Sequence, residues 1–476
     1  MERRWKVLIV TAAAVFMALL DVTIVNIAFP DVRRSFPDEP LASLSWILNG
    51  YSVVFAAALV PAGRLADRFG RRRVFLGGVM VFLIASVVCG SAWSVEILVA
   101  ARVVQALGGA ALMPTSFSLV LPEFPVEQRA TVTALWTATG AVAAAVGPSL
   151  GGVLVDWQGW RTVFFVNLLI GVPALIPARR LLRESRDERA TGWPDMIGAL
   201  LLAVGVGALA LGIVKGTDWG WDSPGVIWSF VVAAALLAVF VVRSASHREP
   251  AIDLGLFRIR SFAVANAGSF VFGAGFFALL LCNVLFLTGV WHYSVLRAGV
   301  ALTPGPLAAA VMAPIAGRVA DRFGPRAIAL PGNILFGLGP LLLALRVGAE
   351  PHYWSEYFPI IVIGGAGIGL SLPAFGAAAV AELPRPRYAT GTGIVACLRQ
   401  IGAVVGIATL IAIIGTPTPG EAVAAFHHAW LLVSACGLLA ALISITLGRV
   451  RMRQVDGLSS TGRTAAPADR AEQPAE

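Results

Sequence analysis

Charged residues are scarce in this chain. Asp, Glu, Lys and Arg make up 13% of its 476 residues, whereas an ordinary soluble domain carries roughly 25%. Hydrophobic residues make up 58%, and the mean hydropathy is +0.81. This composition excludes an ordinary soluble protein and indicates a chain that lies mostly in lipid.

Lysine, cysteine and histidine are also rare. Neither of the two lysines, Lys6 and Lys215, follows a glycine, so the GxxxxGK[ST] loop that binds ATP phosphates is missing. The four cysteines lie in apolar runs without paired spacing, and the five histidines form no HExxH pattern. We therefore expect no metal site and no cofactor, and an ion gradient is the simplest energy source.

Long apolar runs are what the chain has in abundance. Runs of about 20 residues without period-two alternation predict membrane-spanning α-helices, because lipid leaves backbone groups without hydrogen-bond partners. We predict an all-α integral membrane protein with fourteen spans, near residues 7–29, 46–65, 74–93, 97–121, 132–155, 162–180, 195–214, 225–243, 262–290, 298–317, 327–346, 357–381, 391–414 and 427–448.

The distribution of basic residues predicts the orientation. With the N-terminus inside, 28 of the 36 Lys and Arg residues lie in internal segments and six in external ones, while Arg102 and Arg399 lie within spans. This asymmetry follows the positive-inside rule. We expect a multi-pass cell-membrane protein with both termini cytoplasmic, and no nucleic-acid partner despite the net charge of +9.

One short sequence motif, called the repeated phrase below, occurs twice. Residues Gly63 to Arg73 return in similar form as Gly317 to Arg326, 254 residues later. Six spans occupy about 190 residues here, so a spacing of 254 residues predicts two six-helix halves with two inserted helices. The predicted regions are an N-terminal half at 1–190, inserted helices at 191–248, a C-terminal half at 249–453 and a disordered cytoplasmic tail at 454–476.

Several motifs follow one another in a familiar order. They are Leu20–Asn26, Gly63–Arg73, Arg102–Gly108, Gly147–Gly152, Trp160–Asn167, Pro250–Phe257 and Arg399–Gly402. Over residues 7 to 448 the chain resembles the major facilitator superfamily, and within it the fourteen-helix drug:proton antiporters of the multidrug resistance exporter type. The departures are Ala106 and Ala143, where the family usually has glycine, and Leu169, where it usually has proline.

Asp21 is the sharpest functional candidate. A carboxylate deep in a span is costly, so we expect it to face a cavity. It lies about 12 Å from the outer end of its span, and Arg102 lies about 8 Å from the outer end of the fourth, so the two can pair. We expect Asp21 to exchange a proton for a cationic substrate, tuned by Arg102, which keeps its own proton, and by Gln105. A purely structural ion pair is the alternative.

The repeated phrase predicts a cytoplasmic latch between the halves. A charged loop of this kind can hold one state of a transporter and release the other, and we expect Asp67 to stabilise the outward-facing state. A plain positive-inside anchor is the alternative. The latch candidates are Gly63, Asp67, Arg68, Gly70 and Arg71 in the first copy, and Asp321 and Arg322 in the second.

The fifth span carries a face of small residues with a kink, formed by Gly147, Pro148, Gly151 and Gly152. Such spacing lets helices approach closely. The resemblance implies that this antiporter motif limits leakage and favours exchange, with generic close packing as the alternative.

A substrate cavity is predicted from residues near the middle of spans. The candidates are Asn26, Trp136, Phe270, Phe276, Phe277, Asn283, Arg399 and Gln400. For Arg399, a counter-charge, a contact to an anionic substrate and packing against a helix end all remain open.

These features predict a proton-coupled antiporter that exports drugs or amphipathic small molecules by alternating access. A dedicated exporter of one endogenous metabolite or antibiotic is the alternative. A membrane sensor or enzyme finds no support, because the chain lacks an extended soluble domain, a nucleophile elbow and paired carboxylates outside the membrane. The expected partners are a small-molecule substrate, protons and the lipid bilayer, and a monomer is expected.

Overall fold

The computed structural model describes residues 2–125, 128–187, 192–247, 249–383, 387–415, 418 and 420–447. The regular secondary structure of these residues is helical. Its α-helices are α1 (Arg3–Ser35), α2 (Leu41–Phe69), α3 (Arg71–Gly90), α4 (Val95–Val120), α5 (Arg129–Gln158), α6 (Thr162–Leu181), α7 (Met196–Trp219), α8 (Pro224–Ser246), α9 (Arg260–Gly289), α10 (Val295–Leu302), α11 (Pro304–Phe323), α12 (Arg326–Arg346), α13 (Phe358–Val380), α14 (Tyr388–Ile414) and α15 (Ala422–Ile445).

These helices supply the fourteen predicted spans, since 14 stretches of the described residues are long and apolar enough to cross a membrane. The tenth span consists of α10 and α11, which are separated by Thr303. The break follows from Pro304 and Pro306, which have no N–H groups to continue the helical hydrogen bonds. We call the side where α1 begins and α15 ends the terminal face, and the other side the opposite face.

Several helices are longer than their apolar runs. The first span was predicted at 7–29, whereas α1 extends from Arg3 to Ser35. The added turns carry polar residues that continue the helix beyond the apolar core, and an apolar run cannot reveal them. Four helices begin at side-chain caps, in which Ser94, Asp195, Ser223 and Ser294 accept a backbone N–H from the first turn.

The inserted pair packs beside the seam between the halves. On α7, Leu202, Val206, Ala210 and Val214 form a buried stripe at helical spacing, and the helix packs against α2, α14 and α8. At the opposite face, the Thr217 hydroxyl donates to the carbonyl of Ala412 at 3.3 Å. The α7 helix therefore covers the place where α2 of the first half meets α14 of the second.

The halves also meet between α5 and α10, near the opposite face. A Cβ added at Gly152 would lie 2.8 Å from the Leu296 Cα, and one at Gly299 would lie 2.2 Å from the Pro148 carbonyl oxygen. Real Cβ atoms do not approach other atoms this closely, so glycine is required at both positions. The two halves are thus in backbone contact at the opposite face.

Candidate functional site

Asp21 lies at the centre of a polar cluster in the first half, with no exposed surface. Its Oδ2 accepts a hydrogen bond from Nη1 of Arg102. Its Oδ1 accepts from Nε2 of Gln105 and from Nδ2 of Asn167, both at 2.9 Å. One positive charge and two amides thus hold a carboxylate within the membrane-spanning bundle.

Arg102 is just as deeply placed, with an exposed fraction of 1%. Besides Asp21, its guanidinium donates to Oε1 of Gln105 at 2.7 Å and to the carbonyl of Ile47 at 3.2 Å. The guanidinium carbon lies 4.1 Å from the centre of the Tyr51 ring, a cation–π contact. Arginine suits this place because its planar group can bond in several directions and stack at once.

Ser86 on α3 joins the two amides. Its hydroxyl accepts from Nε2 of Gln105 at 2.9 Å and from Nδ2 of Asn167 at 3.2 Å, and it donates to the carbonyl of Phe82 at 2.8 Å. The cluster therefore draws side chains from α1, α2, α3, α4 and α6. A shift of any one of these helices changes the surroundings of the carboxylate.

The structure brings together the predicted trio Asp21, Arg102 and Gln105, but the expectation that Asp21 faces a cavity is wrong in this state. The partners fill the space around the carboxylate, and neither charged group is open to solvent. Sequence reasoning missed Ser86, Tyr51 and Asn167 as members of the cluster. Asn167 ends one of the recognised motifs and could have been suspected, whereas nothing in the sequence singles out Ser86.

The small-residue face of α5 packs against α1 as well as α10. A Cβ at Gly147 would lie 2.0 Å from Oγ1 of Thr23, and one at Gly151 would lie 2.3 Å from Cγ2 of Ile27. Since Thr23 and Ile27 follow Asp21 on α1, α5 fixes the position of the helix that carries the carboxylate. Of the four predicted residues, Gly147 and Gly151 contact α1, and Pro148 and Gly152 contact α10.

The first copy of the repeated phrase is helical, and the expectation of a charged loop is wrong. The helix α2 continues to Phe69, and α3 begins at Arg71 after a single residue, Gly70, whose φ of 113° favours glycine. Asp67 accepts from Nε and Nη2 of Arg71 at 2.9 and 2.8 Å. One left-handed glycine is enough to reverse the chain, so the charged residues lie on helix ends.

Glu184, which follows α6, secures this turn. Its carboxylate accepts the backbone N–H groups of Arg72 and Arg73 at 3.0 and 3.2 Å, at the start of α3. A Cβ at Gly70 would lie 2.6 Å from the Glu184 carboxyl group. A carboxylate at a helix N-terminus satisfies unpaired N–H groups and complements the helix dipole. These contacts of Asp67, Arg71 and Glu184 all stay within the first half.

The other latch candidates have varied surroundings. Gly63 packs near Pro114 on α4, and the guanidinium of Arg68 lies 4.3 Å from the Trp193 ring centre. In the second copy, Arg322 lies 5.3 Å over the Phe323 ring, while the side chain of Asp321 is outside the described residues. The φ of 85° at Gly324 repeats the turn made by Gly70.

The two halves are joined by ion pairs that involve the segment after α8. Arg64, on α2, forms an ion pair with Glu249. Four residues further on, Asp253 pairs with Arg387 at 3.2 Å, next to the start of α14. We call these two pairs the linker bridge. It ties α2 to α14 at the terminal face, on the side that α7 covers.

The residues predicted to line a cavity are dispersed. Asn26 donates to the Val22 carbonyl on its own helix at 2.7 Å, and Trp136 donates to Ser116 at 3.2 Å. In the second half, Phe276 contacts the rings of Phe272 and Phe277, and Asn283 accepts from Trp430 at 3.0 Å. Trp136 and Asn283 therefore belong to separate contacts in different halves, and these interactions do not assemble the set around one pocket.

Arg399 and Gln400 lie on α14, where it packs against α9. A Cβ at Gly273 would lie 2.3 Å from the Arg399 carbonyl oxygen and 2.9 Å from its Cγ, so the two backbones are close. Gln400 is buried, whereas Arg399 is only partly buried. Phe270 and Phe276 lie three residues before and after Gly273, each about 60° around α9 from it in opposite directions.

A family model and individual known proteins match this chain. The model of the Major Facilitator Superfamily matches residues 11–195 and 265–470. The multidrug resistance protein Stp of Mycobacterium tuberculosis is 36% identical over 406 residues, covering 85% of this chain and 74% of that protein. The methylenomycin A resistance protein of Bacillus subtilis is 32% identical over 441 residues, covering 92% of this chain and 93% of that one.

Solved structures show the same fold at low identity. The human organic anion transporter MFSD10 superposes with a TM-score of 0.64 at 16% identity, covering 93% of this chain and 100% of that one. A bacterial homologue of the lysosomal transporter Spinster, inward-facing and unoccupied, gives 0.64 at 19%, covering 95% and 99%. With fourteen spans and these relatives, the chain belongs to the major facilitator superfamily, among its drug-efflux transporters, and is a multi-pass membrane transporter rather than an enzyme.

Proposed function

We propose that this protein is a proton-coupled antiporter that exports small amphipathic molecules across the cell membrane. It works as a monomer with both termini in the cytoplasm, and the halves at residues 1–190 and 249–453 move against each other. The observation that carries the proposal is the enclosed pair of Asp21 and Arg102, with Gln105 and Asn167 bonded to the same carboxylate.

Because Asp21 is enclosed, the exchange of its proton is coupled to movement of the helices around it. In this state no water reaches Asp21, so a proton can arrive or leave only after neighbouring helices separate. When Asp21 takes up a proton, Arg102 loses its counter-charge while still buried, a situation that costs about 3–5 kcal/mol when one partner of a buried pair is removed. The protonated protein therefore favours an arrangement in which Arg102 finds other partners or water.

The amides position the carboxylate for this exchange. Gln105 bonds both members of the ion pair, accepting from Arg102 and donating to Asp21. Asn167 and Ser86 fix the side of the carboxylate that faces α3 and α6. We assign these three residues a positioning role, because they keep Asp21 aimed at Arg102.

The helix contacts support one closed end in this state. The close approach of α5 and α10 shuts the opposite face, which is extracellular in the proposed orientation. The same glycines that permit this approach would limit leakage when the site is open to the cytoplasm. The linker bridge joins the halves at the terminal face in this same state, through the pair of Arg64 with Glu249. We keep the stabilisation of the outward-facing state by Asp67 as a separate proposal.

The names of the relatives bear on the kind of molecule that is exported. Some are named for multidrug resistance, and others for one antibiotic, such as the tetracenomycin C resistance and export protein of Streptomyces glaucescens, 31% identical over 415 residues. Both patterns fit export of amphipathic molecules. Tolerance to several chemically unlike toxins in a pump-deficient host would support a broad exporter, and tolerance to one compound a dedicated exporter.

The test measures proton-driven export in inverted membrane vesicles. A panel of fluorescent amphipathic compounds is screened for uptake driven by an imposed pH gradient. We expect uptake by the wild type and none by Asp21→Asn at equal protein amounts, while the matched control Asp156→Asn, at an exposed aspartate, retains it. Gradient-driven uptake by Asp21→Asn would contradict the proposal.

A further inference from the structure

Arg399 stands out once the cluster around Asp21 is accounted for. It lies eleven residues from the start of α14, about 17 Å along the helix from the terminal face and well inside the span. A charge at this depth is costly and marks a functional site unless it is paired. Arg102 has Asp21 as its partner, so the question is what balances Arg399.

Within the described part of the chain, the Arg399 side chain has no hydrogen bond and no carboxylate at ion-pair distance. The side chain is partly accessible, unlike Asp21 and Arg102. The protein thus presents an unbalanced positive charge, reachable from outside the packed core, at mid-membrane depth.

The neighbours of α14 show which helices surround Arg399. Its neighbours include α9, against which Arg399 itself packs, and α2, which Gly393 approaches at Val60. The inserted helix α7 lies along Ala412, about 140° around the helix from Arg399 at 100° per residue. Arg399 therefore lies on a side of α14 away from α7, next to α9 and nearer to α2, and these two helices belong to different halves.

The surroundings suit an aromatic ligand. Phe270 and Phe276 lie three residues before and after Gly273, the residue of α9 that Arg399 packs against, and both are only partly buried. A guanidinium binds a carboxylate or phenolate through charge-assisted hydrogen bonds, and aromatic rings on the neighbouring helix can contact the apolar body of the same molecule. Asp21 cannot serve a cationic substrate in this state, because Arg102 and the amides already enclose it.

We propose that Arg399 binds the anionic group of the exported molecule, and that the substrates of this transporter are amphipathic aromatic acids rather than cations. The inference rests on the proposed export function and names its substrate class. It also has an electrical consequence. One proton moving inward in exchange for one monoanion moving outward transfers two positive charges inward per cycle, whereas exchange for a monocation transfers none.

The test separates substrate class from proton coupling by measuring binding without any gradient. The purified protein in lipid nanodiscs is titrated with three probes that share one apolar body, namely pyrenebutyrate, its neutral amide and the corresponding primary amine. We expect the acid to bind most tightly. Arg399→Gln should weaken acid binding about 10- to 100-fold, the loss expected for a hydrogen bond to a charged group, and leave the amide nearly unchanged.

Two further variants distinguish charge from packing. Arg399→Lys should restore part of the acid preference, and Arg346→Gln, at an exposed arginine, should retain all of it. Tighter binding of the amine, or an equal loss for acid and amide in Arg399→Gln, would overturn the inference. An acid preference without gradient-driven uptake would refute the proposed antiport instead and leave the binding site standing.

Discussion

Replacing Arg102 with methionine isolates the charge of the buried pair. Methionine fills much of the same space, but it leaves the Asp21 carboxylate enclosed without its cation. Breaking a buried pair from one side costs about 3–5 kcal/mol. Because Gln105 and Asn167 still donate to Asp21, we expect the lower end, about 3 kcal/mol, or a roughly 140-fold shift toward the unfolded state.

A second substitution should recover part of that loss. In the double variant Asp21→Asn, Arg102→Met, the new amide oxygen still accepts from Gln105 and Asn167. Its NH₂ can donate to the Gln105 Oε1 that Arg102 no longer occupies. We therefore expect the double variant to be more stable than Arg102→Met alone by about 1–3 kcal/mol, the cost of a buried polar group left without its partner.

The four cysteines provide the assay. Cys89, Cys282 and Cys397 are buried and Cys436 is partly buried, so a thiol-reactive fluorophore reports unfolding as denaturant is raised in mixed micelles. Arg346→Met, at an exposed arginine, is the control and should unfold like the wild type. If the double variant is no more stable than Arg102→Met, the loss comes from packing over Tyr51 and the reasoning from charge is refuted.

Three more predictions follow from helix contacts. Arg64→Glu or Glu249→Arg should slow transport about two- to fivefold, as expected for a partly exposed ion pair. The double variant Arg64→Glu, Glu249→Arg, which exchanges the two charges, should restore the rate. If a transport assay shows no such rescue, the linker bridge has no part in the mechanism. Gly152→Val should push α5 away from the Leu296 backbone and raise passive proton leakage in proteoliposomes, while Gly207→Val, at an open position on α7, should not. Asn167→Leu should lower the number of protons moved per substrate without unfolding the protein, and Asn167→Gln should restore part of that number. An unchanged number in Asn167→Leu would show that Asn167 only fills space.

The sequence was sufficient for the fold because lipid restricts the choices. An apolar run of about 20 residues must form a helix in a membrane, and the spacing of the repeated phrase predicted two inserted helices. The helix ends were less predictable, since the polar turns of α1 beyond residues 7 and 29 carry no apolar signal. The loop expected at Gly63–Arg73 was wrong because Gly70 alone reverses the chain.

The site was predictable in part. Equal depth on two helices was enough to pair Asp21 with Arg102, because helical rise is regular. The enclosure of Asp21 was not predictable, since it depends on how α3 and α6 bring Ser86 and Asn167 to the carboxylate. Contacts between segments far apart in the chain, such as Arg64 with Glu249, leave no pattern in a single sequence.

The central claim is that the proton exchanged for substrate is carried by Asp21, and counting protons tests it most directly. Substrate is added to purified protein in weakly buffered detergent solution, and the released protons are measured with a pH indicator. Antiport requires that binding of one ligand lowers the affinity for the other, so we predict about one proton released per bound substrate in the wild type and none in Asp21→Asn. Equal release from both proteins would contradict the account.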